Sequence, residues 1–305
     1  MARKGKRGKQ PPRRTHGDEL YLLDQFSQDD LHTWRNAAAS LEEYQVRLFY
    51  HLEGLRQLHN EEICNALRNS GGISQNLQGW CRIVDYLYSM DPLSARGSLI
   101  KSGRFNIGTN LERNSQPTFP ALYCAESYKT AYLEKFGAFE KGNKTDFAGH
   151  EFALRNPTSF SVVQLNGTVN NVFDLRRVSN LKPFVKIIEK FGLPHELKAL
   201  AKMLGMPAPY LVMNTHQLMM TFLTSDWRSL PVQFGIPSNP QIFGNLLRNA
   251  GFEGILYPSS KGNENCLAIF PENLTGSDSF VELADEAPTS VSNTRLDSKT
   301  WRNFI

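Results

Sequence analysis

Residues 251–270 read GFEGILYPSSKGNENCLAIF. Two short apolar runs, GILYP and CLAIFP, lie on either side of a polar stretch rich in glycine, serine and asparagine, which is the pattern of strand, turn and strand. The segment directly before them, NPQIFGNLLRNAGFEG, reads as a capped helix that ends near Gly251. This part of the chain therefore predicts a sheet that packs against helices.

Short apolar runs of the same kind recur upstream, starting at about residue 79. The runs are CRIV, ALYCA, EFAL, FSVVQL and NVFDL. They alternate with turn-rich segments, so residues 79–275 predict one mixed α+β domain. Residues 181–228 interrupt the domain with a helical pattern, in which Val185, Ile188, Leu197, Leu200 and Leu204 fall on apolar faces. We interpret this stretch as a helical insertion.

The ends of the chain differ from the domain. Residues 1–18 form a basic segment rich in glycine and proline that we expect to be disordered. Residues 19–78 predict a helical extension, and residues 276–305 are polar and weakly patterned, which predicts a C-terminal tail or a strap along the surface.

Charge is distributed unevenly along the 305 residues. The chain has a net charge of +4, but residues 1–14 alone contain seven basic side chains and no acid. The rest of the chain is therefore mildly acidic. The basic segment is only a weak reason to expect nucleic-acid binding, because most tails of this kind are solvated and nonspecific.

Several classes of protein are disfavoured. No apolar run reaches the roughly 18 residues that span a bilayer, and no apolar stretch follows the basic N-terminus as a secretory signal requires. The four cysteines are scattered without a CxxC pair, which argues against a zinc site and against a disulfide framework. We expect a cytoplasmic protein that binds neither a membrane nor a metal.

Four motifs of well-known enzymes are incomplete or absent. The segment GAFEKGNKT at 137–145 imitates a phosphate-binding loop, but it follows a helix instead of a strand and has Asn143 where the lysine belongs. No GxGxxG follows a strand, and neither HExxH nor GxSxG is present. Rossmann cofactor binding, zinc peptidase chemistry and serine hydrolase chemistry are therefore unsupported.

One group of polar residues shares the α+β domain. Arg104 lies in the turn-prone KSGRFNIG (101–108), Arg82 in the strand-like WCRIV, and Tyr123 in the strand-like ALYCAES. Glu134 follows Tyr123 by eleven residues, on a helix that Ser127 is placed to cap. The last members are Ser259, Ser260 and Lys261, in the turn after GILYP.

In their order and spacing these segments resemble the RES-domain family, which is named for its arginine, glutamate and serine. The resemblance covers roughly residues 79–275 and rests on CRI (81–83), SGRFNIG (102–108), ALYCAES with TAYLE (121–134) and GFEGILYPSSKGNENCLAIF. The family comprises toxins of bacterial toxin–antitoxin pairs, with a fold similar to ADP-ribosyltransferases. This chain departs from the family at Ser102, where a glycine is common, and in an unusually long segment before Tyr123.

The resemblance implies that NAD⁺ is bound as a substrate, without a further cofactor, and is split at the nicotinamide–ribose bond. Arg104 and Arg82 would then hold the diphosphate, because a guanidinium offers a fork of donors and stays charged. Glu134 would stabilise the positive charge that develops on the ribose. Tyr123 would stack on the nicotinamide. Ser259, or Ser260 in its place, would donate to the substrate, with Lys261 as a helper.

Each residue has a structural alternative, such as an ion-pair role for the arginines or a core role for Tyr123. At the level of function, three hypotheses stay open. The first is an NAD⁺-degrading toxin that uses water or phosphate as acceptor, the second is a mono-ADP-ribosyltransferase acting on a protein, and the third is a non-catalytic binding module. The resemblance also implies a separate antitoxin. Residues 19–75 or 181–228 are candidates for that contact, for a homodimer interface, or for neither.

Overall fold

The structure is a computed structural model that describes residues 28–111, 117–137, 159–207, 209, 211–228 and 230–305. By compactness the chain divides into residues 1–43 and residues 44–305. The described part of the first unit is the beginning of one long helix, and the second unit holds all the other elements given below.

The described residues contain α-helices and short 3₁₀ helices. Within the described residues the α-helices are α1 (Gln28–Leu58), α2 (Asn60–Arg68), α3 (Arg96–Ile100), α4 (Tyr128–Phe136), α5 (Lys182–Ile188), α6 (His195–Met203), α7 (Thr215–Leu223), α8 (Leu230–Gln233) and α9 (Asn239–Asn249). Short 3₁₀ helices lie at Tyr86–Tyr88, Val178–Leu181, Pro271–Leu274 and Trp301–Phe304. No helix in the described ranges combines the length and the apolar character needed to cross a membrane.

Seven strands form one sheet. They are β1 (Ile73–Asp85), β2 (Leu122–Ala125), β3 (Phe160–Asp174), β4 (Gly254–Pro258), β5 (Asn265–Ile269), β6 (Phe280–Leu283) and β7 (Arg295–Asp297). The order is β1-β2-β5-β4-β3-β6-β7, and β1 also pairs with β3, so five strands close into a ring from which β6 and β7 extend. Among the described strand pairs, only β3 and β4 run parallel. The mixed α+β class predicted from the sequence is confirmed.

The hairpin of β4 and β5 explains why apolar and polar residues do not alternate along the strands within residues 251–270. Its register pairs Gly254 with Ile269 and Pro258 with Asn265. Ile255 and Tyr257 pack into one hydrophobic cluster, under helices α2, α5, α7 and α9, whereas Leu256 packs into a second cluster on the other face. A strand that is buried on both faces reads as a continuous apolar run.

The prediction of a C-terminal tail at 276–305 is wrong. Strand β6 pairs with β3 and strand β7 pairs with β6. Val281, Leu296 and Phe304 are fully buried, and the carbonyl of Phe304 accepts a hydrogen bond of 2.8 Å from the amide of Ala95. Strands of four and three residues contain too few apolar positions to give a periodic pattern, so the sequence did not predict β6 and β7.

Two further boundaries differ from expectation. Strand β1 begins at Ile73, so residues 73–78 belong to the sheet and not to a helical extension. The runs FSVVQL and NVFDL are one continuous strand, β3. Within the predicted insertion, α5, α6 and α7 span Lys182–Ile188, His195–Met203 and Thr215–Leu223. The run EFAL and the basic segment 1–18 lie outside the described residues.

Candidate active site

The loop that carries Arg104 is closed by a buried asparagine. Asn106 is fully buried, and its Oδ1 accepts from the amide of Gly103 at 2.8 Å and from the hydroxyl of Tyr123 at 3.0 Å. Its Nδ2 donates to the carbonyls of Ser98 and Phe119 at 2.7 and 3.2 Å. One side chain therefore satisfies four polar groups in and around the loop and fixes its course.

Two glycines allow close approach around this loop. A Cβ at Gly103 would lie 2.5–2.6 Å from the ring and hydroxyl of Tyr123, and a Cβ at Gly244 would lie 2.1 Å from the carbonyl oxygen of Phe105. Glycine is needed at 103 because the Tyr123 ring packs on it, and at 244 because α9 packs on the loop. The Tyr123 hydroxyl also accepts from the amide of Phe105 at 2.9 Å. Burial raises the pKa of Tyr123, so the phenol stays protonated.

The guanidinium of Arg104 caps the last helix of the predicted insertion. Its Nη1 donates to the carbonyls of Phe222 and Thr224 at 2.9 and 2.8 Å, at the C-terminal end of α7. A helix C-terminus carries unpaired carbonyls and partial negative charge, which a guanidinium satisfies. The side chain is only 5% exposed, and its Cζ lies 5.7 Å from the centroid of the Trp227 ring. Nη2 donates to Ser260 Oγ at 2.8 Å.

Helix α4 places Glu134 beside the turn between β4 and β5. The helix begins after Ser127, whose hydroxyl accepts from the amide of Thr130 at 3.2 Å, and this confirms the predicted cap. Oε1 of Glu134 accepts from Ser259 Oγ at 2.5 Å and from the amide of Ser260 at 3.1 Å. Among the described residues no hydrogen bond reaches Oε2, and the side chain is half-buried.

The turn gives its two serines different roles. Ser259 Oγ donates to Glu134 and accepts from the amides of Lys261 and Gly262 at 3.1 and 2.8 Å. Ser260 instead holds Arg104, and Lys261 Nζ donates to the carbonyl of Glu134 at 3.1 Å. The turn therefore links the arginine and the carboxylate into one network.

Arg82 is not part of this network. Its Nε, Nη1 and Nη2 donate to the carbonyls of Pro92, Tyr123 and Ser94 at 2.8, 3.0 and 2.6 Å. Its neighbour Cys124 packs in the cluster on the opposite face of the sheet from the Tyr123 ring, and burial lowers the pKa of Arg82 to about 10. The structure therefore separates Arg82 from the other predicted residues, and its three hydrogen bonds tie backbone segments together.

Comparison with known proteins identifies the family. The sequence matches the RES domain over residues 80–289, more than two thirds of the chain. The chain belongs to the RES domain family. This confirms the resemblance that the sequence suggested, and the match extends past the predicted end at 275 to include β6.

Solved structures give a more distant likeness to this RES domain. A chain of the crystal structure of the M. tuberculosis MbcT–MbcA toxin–antitoxin complex is 14% identical, with a TM-score of 0.42 over 80% of this chain and 97% of that chain. No curated protein matches the sequence.

In this RES domain the structure brings together six of the seven predicted residues. These are Arg104, Tyr123, Glu134, Ser259, Ser260 and Lys261. Sequence reasoning missed Asn106, although an asparagine within a glycine-flanked loop is a usual signal for a turn. It also missed Trp227 and Arg228, which contact the site from the end of the insertion and carry no local motif.

Proposed function

We propose that this RES domain protein is an enzyme that consumes NAD⁺ by breaking the bond between nicotinamide and ribose, and that it acts as a toxin. The observation that carries the proposal is the fixed carboxylate of Glu134, held by Ser259 and Ser260 in a turn that also engages Arg104. Membership of a family implied to comprise NAD⁺-consuming toxins supports the same reaction.

The chemistry requires one negative group beside the sugar. As the glycosidic bond breaks, its electron pair leaves with the pyridinium nitrogen, which becomes neutral nicotinamide, and positive charge develops on the ribose. A carboxylate that is already oriented stabilises this charge without reorganising during the reaction. Glu134 meets that requirement, because Oε1 is held by two donors while Oε2 faces no described partner. Water or phosphate then attacks the sugar carbon and gives up its proton to solvent.

Positioning falls to the residues around the carboxylate. Ser259 orients Glu134, and Arg104 positions Ser260 and the end of α7. The ring of Tyr123, whose hydroxyl is fixed by Asn106, supplies a rigid face for the nicotinamide. We also propose that the sheet is an ADP-ribosyltransferase-like core with the dinucleotide on the face that carries Tyr123. A crystal structure with a bound NAD⁺ analogue tests this placement.

The reaction is tested by incubating the purified protein with NAD⁺, with and without phosphate, and measuring nicotinamide and the ribose product. Phosphate-dependent release with ADP-ribose-1″-phosphate identifies phosphate as acceptor, and phosphate-independent release with free ADP-ribose identifies water. Labelled protein formed only in a lysate indicates an ADP-ribosyltransferase. No release under any condition overturns the proposal and leaves a binding module.

Glu134→Gln provides the matched variant, because it keeps the size of the side chain and removes its charge. We expect loss of nearly all nicotinamide release, whereas Glu61→Gln on the exposed face of α2 keeps wild-type activity. Retained activity in Glu134→Gln would contradict the assignment of the carboxylate.

The biological part of the proposal is a toxin restrained by a separate antitoxin, as the family resemblance implies. Expression of the wild-type protein is then expected to arrest bacterial growth and lower cellular NAD⁺, and Glu134→Gln is expected to relieve both effects. Growth arrest by the variant would separate toxicity from NAD⁺ consumption.

A further inference from the structure

Arg104, Arg228 and Lys261 bring three positive charges to the network that holds Glu134. Burial is the main cause that lowers the pKa of Lys261; Glu134 raises this pKa, and Arg104 and Arg228 lower it further. Burial also lowers the pKa of Arg228, and Arg104 lowers it further. Cations that lower one another's pKa repel, and a bound anion relieves that repulsion. The clustered positive charges therefore suit the site to binding an anion.

Arg104 has few N–H donors left with which to bind such an anion. Three of its five N–H groups already donate to the carbonyls of Phe222 and Thr224 and to Ser260, and the side chain is almost fully buried. Its charge contributes to the field of the site, but most of its donors are committed to the protein. The direct contacts to a phosphate group must come from another cation.

Arg228 is partly exposed to solvent, and most of its N–H donors have no hydrogen-bond partner among the described residues. Its Cζ lies 4.7 Å from the centroid of the Trp227 ring, which orients the guanidinium by stacking. Its one described hydrogen bond, from Nη2 to the carbonyl of Ser102, is 3.4 Å long and therefore weak. The described groups that influence its pKa besides burial are Tyr123 and Arg104, and neither is a carboxylate. The nearby carboxylate of Asp226 accepts from the hydroxyl of Thr224.

We infer that Arg228, oriented by Trp227, is the residue that binds the diphosphate of a dinucleotide substrate, with Lys261 as the second cation. This inference rests on the proposed function, since it names the group that recognises NAD⁺. Both cations flank the network of Arg104 and Glu134, Arg228 from the Ser102 side and Lys261 from the turn. A guanidinium forms paired, charge-assisted hydrogen bonds with phosphate oxygens. The helical insertion thus provides the arginine that binds the diphosphate, a role that the sequence analysis assigned to Arg82 in β1.

The kinetic test compares Arg228→Gln with Arg302→Gln. Arg302 has the same arrangement, stacked 4.6 Å from the centroid of Trp301, but Trp301 packs on the opposite face of the sheet. We expect Arg228→Gln to raise KM for NAD⁺ about 10- to 100-fold, the effect of losing hydrogen bonds to a charged group, with kcat little changed. KM for nicotinamide riboside, which has no phosphate, stays at the wild-type value. Arg228→Lys retains part of the affinity.

An unchanged KM for NAD⁺, or an equal rise for nicotinamide riboside, overturns the inference. Failure of the proposed function is recognised separately, by calorimetric titration of the protein with ADP in the absence of turnover. If the wild type releases no nicotinamide but binds ADP at least 10-fold more tightly than Arg228→Gln, the diphosphate site is supported and the proposed reaction is not. If wild type and variant bind ADP equally, or neither binds it, the site is refuted.

Discussion

The hydroxyl of Ser259 donates to Oε1 of Glu134 at 2.5 Å, across 125 residues of sequence. The same hydroxyl accepts from two backbone amides of its own turn. Because these amides fix the position of the oxygen, its proton is directed at the carboxylate, and the orientation of Glu134 depends on the conformation of the turn between β4 and β5. A loop residue thereby controls the geometry of a helix residue.

Ser259→Ala tests this dependence. We expect kcat for nicotinamide release to fall about 10- to 100-fold, because one hydrogen bond to a charged group is lost. The KM for NAD⁺ changes little, since the proposed diphosphate contacts remain. Ser70→Ala removes a hydroxyl that bonds only to the carbonyl of Leu67, and it serves as the control with wild-type kinetics. A Ser259→Ala enzyme with unchanged kcat would show that the hydroxyl does not orient Glu134.

Arg104→Ala is expected to affect stability as well as activity. The substitution leaves the carbonyls of Phe222 and Thr224 at the end of α7 without their donor. We expect the free energy of unfolding to fall by about 2–4 kcal/mol, measured by urea denaturation. Arg302→Ala, at an exposed position where the side chain only stacks on Trp301, lowers it by no more than about 1 kcal/mol. If Arg104→Ala unfolds like wild type, the guanidinium does not anchor the insertion.

The sequence predicted which helices and strands carry the site residues, but it did not predict which face of the sheet each side chain occupies. Apolar runs placed Arg82 and Tyr123 on strands, and both lie on strands. Which face of the sheet each side chain occupies depends on the pairing of β1 with β2 and β3, a long-range relation that local periodicity does not contain. The family resemblance implied that Arg82 holds the diphosphate, but its side chain bonds the backbone carbonyls of Pro92, Tyr123 and Ser94.

The insertion illustrates the same limit over a longer distance. Its helical periodicity was readable from the sequence, and helices α5 to α7 are present. The approach of Trp227 to Arg104 depends on how α7 packs against the loop, across 123 residues of chain. The helix of Glu134 and the turn of Ser259 could be predicted because the cap at Ser127 and the apolar runs around the turn are local signals. The roles of the two residues were implied by the family resemblance.

Gly103→Ala is predicted to be destabilising because the new Cβ would lie 2.5 Å from the Tyr123 hydroxyl. That hydroxyl cannot swing away freely, since it is bonded to Asn106 and to the amide of Phe105. We expect a loss of about 1–3 kcal/mol in the free energy of unfolding, the usual cost of overpacking. Gly192→Ala is the control, because a Cβ there meets nothing within 4 Å.

A double-mutant cycle isolates the cause of this loss. In a Tyr123→Ala background the obstacle is gone, so adding Gly103→Ala is expected to cost less than it does in the wild type. An equal cost in both backgrounds would mean that the glycine is required for a reason other than the Tyr123 ring.

The four cysteines are predicted to be unreactive in the folded protein. All four are free and buried, and burial raises the pKa of each thiol, that of Cys124 to about 12. Since the thiolate is the reactive form, a thiol reagent at pH 8 finds almost none in the native state. We expect no rapid reaction before unfolding and four equivalents in denaturant, with three for Cys124→Ala. Because the folded pKa of Cys124 exceeds its value of about 9 in the unfolded chain, this thiol's contribution to stability is complete below pH 9 and is lost as the pH rises toward 12. Rapid labelling of one thiol in the native protein at pH 8 would show that its surroundings open to solvent.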